Sequence, residues 1–167
     1  KGTGHSPCDK LYKAELFHNI RFFPIRAYED CATIFKLFSN AKKIVYEDIT
    51  LYHYEQRENS TMTQLFSSIK FDAISAYYEM YQFYSEKYPE YTAIVKAKLI
   101  GSIQYCVGET LLLDLKEELG ERLEFAKTVL KKIGIKNTSV KHKLSIFLLL
   151  HCEKLFRLAY CVKHKDY

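Results

Sequence analysis

The sequence predicts a mainly α-helical fold, and three observations support this prediction. Glycine and proline are scarce, with 6 and 3 residues in a chain of 167. Hydrophobic residues make up 48% of the chain, which is enough to build a packed core. After residue 60, apolar side chains recur at the three- and four-residue spacing of amphipathic helices. A β-sandwich or barrel is therefore not expected.

Short elements are predicted in the first part of the chain. Residues 13–18 are typical of a short helix, and Pro24 then turns the chain, because the residue before a proline is kept out of the helical region. Further along, residues 43–46 and 49–54 are rich in β-branched and aromatic side chains. This composition favours two strands or extended segments.

An amphipathic helix is predicted between these elements, over residues 29–40. It depends on apolar side chains at helical spacing, which are Cys31, Ile34, Phe35 and Phe38. The first turn of this helix would carry Glu29 and Asp30. That position is favourable, because a helix N-terminus stabilises negative charge.

A bundle of about four longer helices is predicted after residue 62. The helices cover residues 72–85, 89–106 and 112–133 and the segment after Thr138 or Ser139, either of which suits an N-cap. Gly134 suits a C-terminal cap for the third helix. The 14 Tyr and 11 Phe residues fall mostly at helical spacing, so we interpret them as core or interface residues.

The cysteine and histidine residues predict neither a metal site nor a disulfide framework. The 5 cysteines are odd in number and form no Cys-x-x-Cys pair, which favours a reducing compartment such as the cytoplasm. The 6 histidines have no carboxylate or second histidine at ligand spacing. No apolar run approaches the roughly 20 residues needed to cross a bilayer.

The C-terminal segment, residues 136–167, is strongly basic. It holds seven Lys or Arg residues against Glu153 and Asp166, so its net charge equals the +5 of the whole chain. Basic side chains beside an apolar helix face suit peripheral docking on an anionic membrane surface. A packed helix with a solvated basic face is the alternative. Nucleic-acid binding is not expected, because no recognition motif accompanies the charge.

Several side chains in the first part of the chain are of the types that sugar transfer requires. Asp30, next to Glu29, is a candidate base for an acceptor hydroxyl, since a positioned carboxylate contributes about 10² to 10⁴ in rate. Arg57 and Ser60 are candidates to bind a departing diphosphate, because a cation and hydrogen-bond donors offset developing charge. Lys10 is a further candidate for contact with donor or acceptor, although a lysine beside apolar residues is more often a surface residue.

An ordered series of motifs extends over residues 8–62. It comprises Cys-Asp-Lys-Leu-Tyr-Lys-Ala-Glu-Leu-Phe from Cys8, Ile-Arg-Phe from Ile20, Tyr-Glu-Asp from Tyr28, Ala-Lys-Lys-Ile-Val-Tyr from Ala41, Leu-Tyr-His-Tyr from Leu51 and Arg-Glu-Asn-Ser from Arg57. The series closely resembles the acceptor-side half of bacterial family 2 glycosyltransferases, which assemble capsule, exopolysaccharide and lipopolysaccharide. The helical remainder is similar to the variable C-terminal extension of such enzymes.

The resemblance implies two parts, with the acceptor-side part of the catalytic domain in residues 1–62 and a helical extension in residues 63–167. The first part would be a small α/β remnant of a Rossmann-like fold, separated from its donor-binding half. That missing half would bind the nucleotide sugar and hold Mn²⁺ or Mg²⁺ through an Asp-x-Asp motif, which this chain lacks. No metal or other cofactor is therefore expected in this fragment.

The family pattern also implies a role for each candidate residue. Asp30 would be the base of an inverting transfer, and Glu29 would help to seat the acceptor sugar. Arg57 and Ser60 would close over the leaving diphosphate. Three residues differ from those that are common in the family, and none of them affects Asp30. With these residues the diphosphate side has fewer cations than is usual in the family. The three are Thr50, His53 and Glu55.

Two functions are therefore considered. The first is the C-terminal portion of a glycosyltransferase at the cytoplasmic face of the membrane, with a nucleotide-sugar donor and a glycan or lipid-linked acceptor. This fragment would be inactive alone, because donor positioning and metal-assisted charge stabilisation belong to the missing half. The alternative is a non-catalytic helical module, after residue 62, for homo-oligomerisation or membrane docking. Sugar, nucleotide and linkage stay open, because specificity depends on the shape of the pocket.

Overall fold

A computed structural model describes residues 4–49, 51–53, 55 and 65–163 of the chain. Of these residues, 64% are helical and none forms a strand, whereas an average soluble domain is roughly one third helix. The prediction of a mainly α fold is confirmed. The chain divides into two compact units, unit 1 at Lys1–Ala76 and unit 2 at Tyr77–Tyr167. The boundary expected after residue 62 lies outside the described residues and stays a prediction.

Unit 1 begins with a 3₁₀ turn at Ala14–Phe17, followed by helix α1 at Ile34–Asn40. The 3₁₀ turn confirms the short helix predicted at residues 13–18. The two elements pack against each other, because both contribute apolar side chains to a small core. The buried residues of this core are Ile20, Ile34 and Leu37.

Helix α1 begins later than the sequence predicts. The residues just before Ile34 form hydrogen-bonded turns instead of a regular helix. Tyr28 has a positive φ of 65°, and the side chains of Asp30 and Thr33 bond to nearby backbone groups. Short polar side chains that bond in this way compete with helical hydrogen bonds. The prediction that Glu29 and Asp30 occupy the first turn of the helix is therefore wrong, because both lie in the turns before it.

The two predicted strands are not formed in the described residues. Residues 43–49 and 51–53 have no regular secondary structure, and Thr50 and Tyr54 lie outside the described part of the chain. A strand is stable only when a neighbouring strand shares its backbone hydrogen bonds. Unit 1 offers no such neighbour among its described residues, so the Rossmann-like remnant stays a prediction.

Most helices belong to unit 2. The division between the units falls within α2, Asp72–Lys87, and a 3₁₀ turn at Pro89–Tyr91 leads into α3. The remaining helices are α3 at Thr92–Leu112, α4 at Lys116–Ile133, α5 at Val140–His151 and α6 at Glu153–Lys163. Helix α3 extends past the predicted end at residue 106. It is the centre of unit 2, since α4, α5 and α6 all pack against it.

Capping residues set the ends of α4 and α5. Gly134 follows α4 with a φ of 60°, a conformation that glycine adopts without strain. Ser139 accepts a hydrogen bond from the backbone N–H of His142 at 3.3 Å and begins α5. Both capping predictions are confirmed. The prediction of a single helix after Ser139 is wrong. Cys152 has φ −139° and ψ 63°, and this non-helical residue separates α5 from α6.

A buried hydrogen bond joins α6 to α3. Tyr160 on α6 is 8% exposed, and its hydroxyl donates to Oε1 of Glu109 on α3 at 2.8 Å. The pKa of Tyr160 is raised well above its ordinary value of 10.0, mainly by burial and secondly by this bond to the Glu109 carboxylate. The Tyr160 ring also lies against Gly108, where a Cβ atom would overlap the ring. The absence of a side chain at Gly108 thus lets the two helices approach.

A second buried polar contact joins α3 to the loop after α4. Lys96 on α3 is 4% exposed, and its Nζ donates to the backbone carbonyl of Lys136 at 2.7 Å. Burial lowers the pKa of Lys96 from its ordinary value, because the charged form loses its hydration. The hydrogen bond satisfies a carbonyl just beyond the C-terminus of α4.

Candidate functional site

Thr33 holds the turn that carries both acidic candidates, residues 28–33, which we call the acidic turn. The Thr33 hydroxyl donates to the backbone carbonyl of Glu29 at 2.7 Å and accepts from the backbone N–H of Phe23 at 3.1 Å. Thr33 is 1% exposed, so water does not compete for these bonds. A single hydroxyl therefore joins the acidic turn to the preceding segment.

Backbone hydrogen bonds fix the shape of the acidic turn. The N–H of Ala32 donates to the carbonyl of Tyr28 at 3.1 Å, and the N–H of Ile34 donates to the carbonyl of Asp30 at 2.9 Å. Glu29 and Asp30 are partly exposed, in contrast to the buried residues that follow them. The turn thus combines an anchored backbone with two acidic residues that reach the surface.

The Asp30 carboxylate is oriented by its own backbone. Its Oδ1 accepts the N–H of Cys31 at 2.6 Å. A carboxylate has about four acceptor positions on its two oxygens, so this bond fixes its direction and leaves capacity for a substrate hydroxyl. Asp30 is thus an oriented carboxylate at a partly exposed position, with acceptor capacity to spare. Its catalytic role and that of Glu29 stay predictions.

Asp72 anchors the segment that leads into the acidic turn. It is 3% exposed, and its Oδ2 accepts the backbone N–H of Arg26 at 3.0 Å and lies 3.8 Å from the Arg26 Nε. The Arg26 guanidinium also donates to the Ser68 hydroxyl at 3.4 Å. A buried carboxylate requires such partners to offset its lost hydration. No local sequence pattern points to Asp72, because its partner is 46 positions away along the chain.

The other predicted binding residues are not brought to the acidic turn by contacts in the described part of the chain. The Lys10 ammonium donates to the backbone carbonyl of Ser6 at 2.6 Å and pairs with the carboxylate of Asp9. Both partners belong to its own segment. Arg57 and Ser60 lie outside the described residues, so the predicted diphosphate site stays a prediction.

The described residues offer no ready set of metal ligands. Within residues 4–49, 51–53, 55 and 65–163, no three His, Cys, Asp or Glu side chains come together in a way that could hold a metal ion. None of the five cysteines, all within the described residues, forms a disulfide bond. The metal implied by the family resemblance belongs to the donor-binding half and stays a prediction.

Large apolar side chains are exposed on unit 1 between residues 44 and 52. We call this set the exposed apolar segment, and its side chains are 45% to 84% accessible. Its members are Ile44, Val45, Tyr46, Ile49, Leu51 and Tyr52. Residues of these types normally pack in cores or on sheets. Exposed apolar side chains in such number are typical of interaction surfaces when they form a contiguous patch.

We expect Thr33→Val to loosen the acidic turn. Valine keeps the shape of threonine but leaves the Phe23 N–H and the Glu29 carbonyl without their partner, and each loss costs about 1–3 kcal/mol. Chemical denaturation should therefore give a free energy of unfolding lower by about 2 kcal/mol or more. Thr33→Ser keeps the hydroxyl and should lose less. Equal stability of Thr33→Val and wild type would contradict the anchoring role.

The comparisons with known proteins assign no family to this chain. The interpretation of the acidic turn therefore depends on its residues, their hydrogen bonds and the motif series around them. No protein-family model, no curated protein and no solved structure matches the chain.

Proposed function

We propose that the chain is the acceptor-side portion of a family 2 glycosyltransferase. The complete enzyme transfers a sugar from a nucleotide donor to a glycan or lipid-linked acceptor, at the cytoplasmic face of the membrane, in the synthesis of cell-surface polysaccharide. The observation that carries the proposal is the acidic turn, which holds Asp30 as a directed, partly exposed carboxylate within the ordered motif series. An oriented carboxylate that a hydroxyl can approach supports the role of a general base.

Asp30 acts on the acceptor hydroxyl. A neutral hydroxyl is a weak nucleophile, so the carboxylate takes its proton while the oxygen forms a bond to the anomeric carbon of the donor. The bond between that carbon and the diphosphate breaks in the same step. Attack from the side opposite the diphosphate inverts the configuration of the anomeric carbon.

The remaining candidates act around this step. Glu29, adjacent to the base, accepts hydrogen bonds from the acceptor sugar and so orients its reacting hydroxyl. Arg57 and Ser60 offset the negative charge that builds on the leaving diphosphate. Lys10 is the further candidate for contact with donor or acceptor.

The exposed apolar segment supports a missing second half. Its β-branched and aromatic residues favour strands, and strands require neighbours that complete their backbone hydrogen bonds. In the complete enzyme the donor-binding half would supply those neighbours and cover the apolar side chains. The chain alone would then lack both the donor site and the cover of its own surface, so we expect it to be inactive.

A transfer assay with the complete enzyme tests the proposal. The enzyme is incubated with uridine, thymidine, guanosine and cytidine diphosphate sugars, Mn²⁺ or Mg²⁺, and glycan or lipid-linked acceptors. We expect a glycoside with inverted anomeric configuration, identified by NMR, and we expect no product from the 167-residue chain alone. Retention of configuration, or no transfer from any donor, would contradict the proposal.

A further inference from the structure

Helices α5 and α6 each carry an exposed apolar stripe, and we call the two stripes together the outer face. Their side chains are 54% to 81% accessible. The members are Val140, Leu144 and Phe147 on α5 and Leu155, Leu158 and Val162 on α6. Large accessible apolar side chains mark an interaction surface when they are aligned and contiguous.

The outer face lies opposite the packed side of both helices. Its members repeat at three and four residues, and an α-helix has about 3.6 residues per turn, so they align along one side. The buried residues of the same helices are Ile146, Leu149, Phe156 and Tyr160. Because α5 and α6 pack against α3, and Tyr160 bonds to Glu109 there, the outer face points away from α3.

Basic side chains accompany the outer face. Between residues 136 and 163, six Lys or Arg residues stand against one acidic residue, Glu153. Glu153 forms an ion pair with the Nζ of Lys116 at 2.8 Å, so its charge is already offset. The basic residues on the two helices are all exposed; they are Lys141, Lys143, Lys154, Arg157 and Lys163. The surface is therefore both apolar and positively charged.

We propose that the outer face docks unit 2 on an anionic lipid bilayer. The apolar side chains would enter the boundary between headgroups and acyl chains, while the lysine and arginine side chains extend to the anionic headgroups. This mode of binding lays both helices along the surface. The proposal depends on α5 and α6 alone and is independent of the role assigned to Asp30.

A helix that crosses the bilayer is a different structure from one that lies on it. In the described part of the chain, none of the helices is sufficiently long and apolar to span a membrane. The outer face itself occupies one side of each helix, whereas a spanning helix is apolar all around.

A second copy of the chain is a poorer occupant of the outer face. A two-fold symmetric contact through this face would bring the same basic residues of both copies together. Like charges that meet across an interface oppose association. Anionic headgroups instead complement the charge, so the bilayer is the occupant that electrostatics favours.

Sedimentation with lipid vesicles tests the proposal on the full chain. The vesicles contain phosphatidylcholine alone or a mixture of phosphatidylcholine and phosphatidylglycerol. We expect binding to the anionic vesicles only, with release as salt screens the charges. Lys141→Gln combined with Lys143→Gln should weaken binding about 30-fold, since each basic residue near an anionic surface contributes about fivefold.

A second variant removes the apolar contribution. Leu144→Asp combined with Leu158→Asp should weaken binding at least about tenfold for each leucine, because neither can then enter the lipid. Ile94→Asp is a control for the added negative charge of one aspartate, since Ile94 is 62% exposed on α3 and lies outside the outer face. It should bind as the wild type does. Circular dichroism establishes that each variant is folded.

Three results would overturn the proposal. They are absence of binding to anionic vesicles, equal binding to neutral and anionic vesicles, and equal binding by the leucine variant and the wild type. Self-association of the free chain that the leucine variant abolishes, without vesicle binding, would assign the outer face to a second copy. If the leucine variant does not fold, the lysine variant decides, because it leaves every apolar side chain of unit 2 unchanged.

Discussion

Replacing Asp30 with asparagine should lower the turnover of the complete enzyme by about 10²- to 10⁴-fold, while donor binding is unchanged. Asparagine keeps the size of aspartate, and its side-chain oxygen can still accept the N–H of Cys31, which the Asp30 carboxylate accepts at 2.6 Å. The acidic turn should therefore keep its shape. The amide cannot take a proton from the acceptor hydroxyl, so only the chemical step is lost.

A matched control separates this loss from a general effect of removing a carboxylate. Glu15→Gln makes the same chemical change at an exposed position on the 3₁₀ turn of unit 1, and it should leave turnover unchanged. Steady-state kinetics give turnover, and calorimetric titration with the nucleotide sugar gives donor binding. Turnover retained in Asp30→Asn would remove Asp30 from its role, and equal losses in both variants would show that the effect is not specific.

Gly108→Ala should destabilise unit 2 by about 1–3 kcal/mol. The added Cβ would overlap the ring of Tyr160, which is 8% exposed and held by its hydrogen bond to Glu109. Burial and the hydrogen bond to Glu109 oppose a turn of the ring away from the added methyl group. Helices α3 and α6 must then separate, which exposes apolar area and weakens the bond.

Gly101→Ala is the control for Gly108→Ala, because it makes the same change in the same helix. Nothing lies within 4 Å of a Cβ at Gly101, so the substitution should stabilise α3 by about 0.5–1 kcal/mol through helix propensity. The two alanine variants should therefore shift the denaturation midpoint in opposite directions. A shift of the same sign in both would contradict the close contact between Gly108 and Tyr160.

The helices of unit 2 could be predicted from the sequence because their signals are local. Helical spacing of apolar residues and the caps at Gly134 and Ser139 depend on neighbours within one or two turns. The break at Cys152 escaped prediction, because the apolar spacing continues through it. The same spacing identifies the apolar positions of α5 and α6, but it does not show which side of each helix packs on α3. The outer face is therefore recognised only from the exposure of its side chains.

The candidate site was harder to predict, because its supports are distant along the chain. The sequence pointed to Asp30, but the start of α1 was misplaced because the bonds of the Asp30 and Thr33 side chains are not visible in a periodic pattern. The tie between Asp72 and Arg26 could not be inferred from spacing. The predicted strands required partners that the described residues do not include.

The buried ammonium of Lys96 has a consequence for the chemical reactivity of this chain. Exposed lysines, such as Lys141 and Lys143, are open to reagents that acylate amines. Lys96 is 4% exposed, and its Nζ is held by the carbonyl of Lys136, so a reagent can reach it only when α3 and the loop after α4 come apart. Acylation converts the ammonium of Lys96 into a neutral amide, and the amide bond is stable in water. Modification at this single amine would therefore be a permanent record that unit 2 had opened.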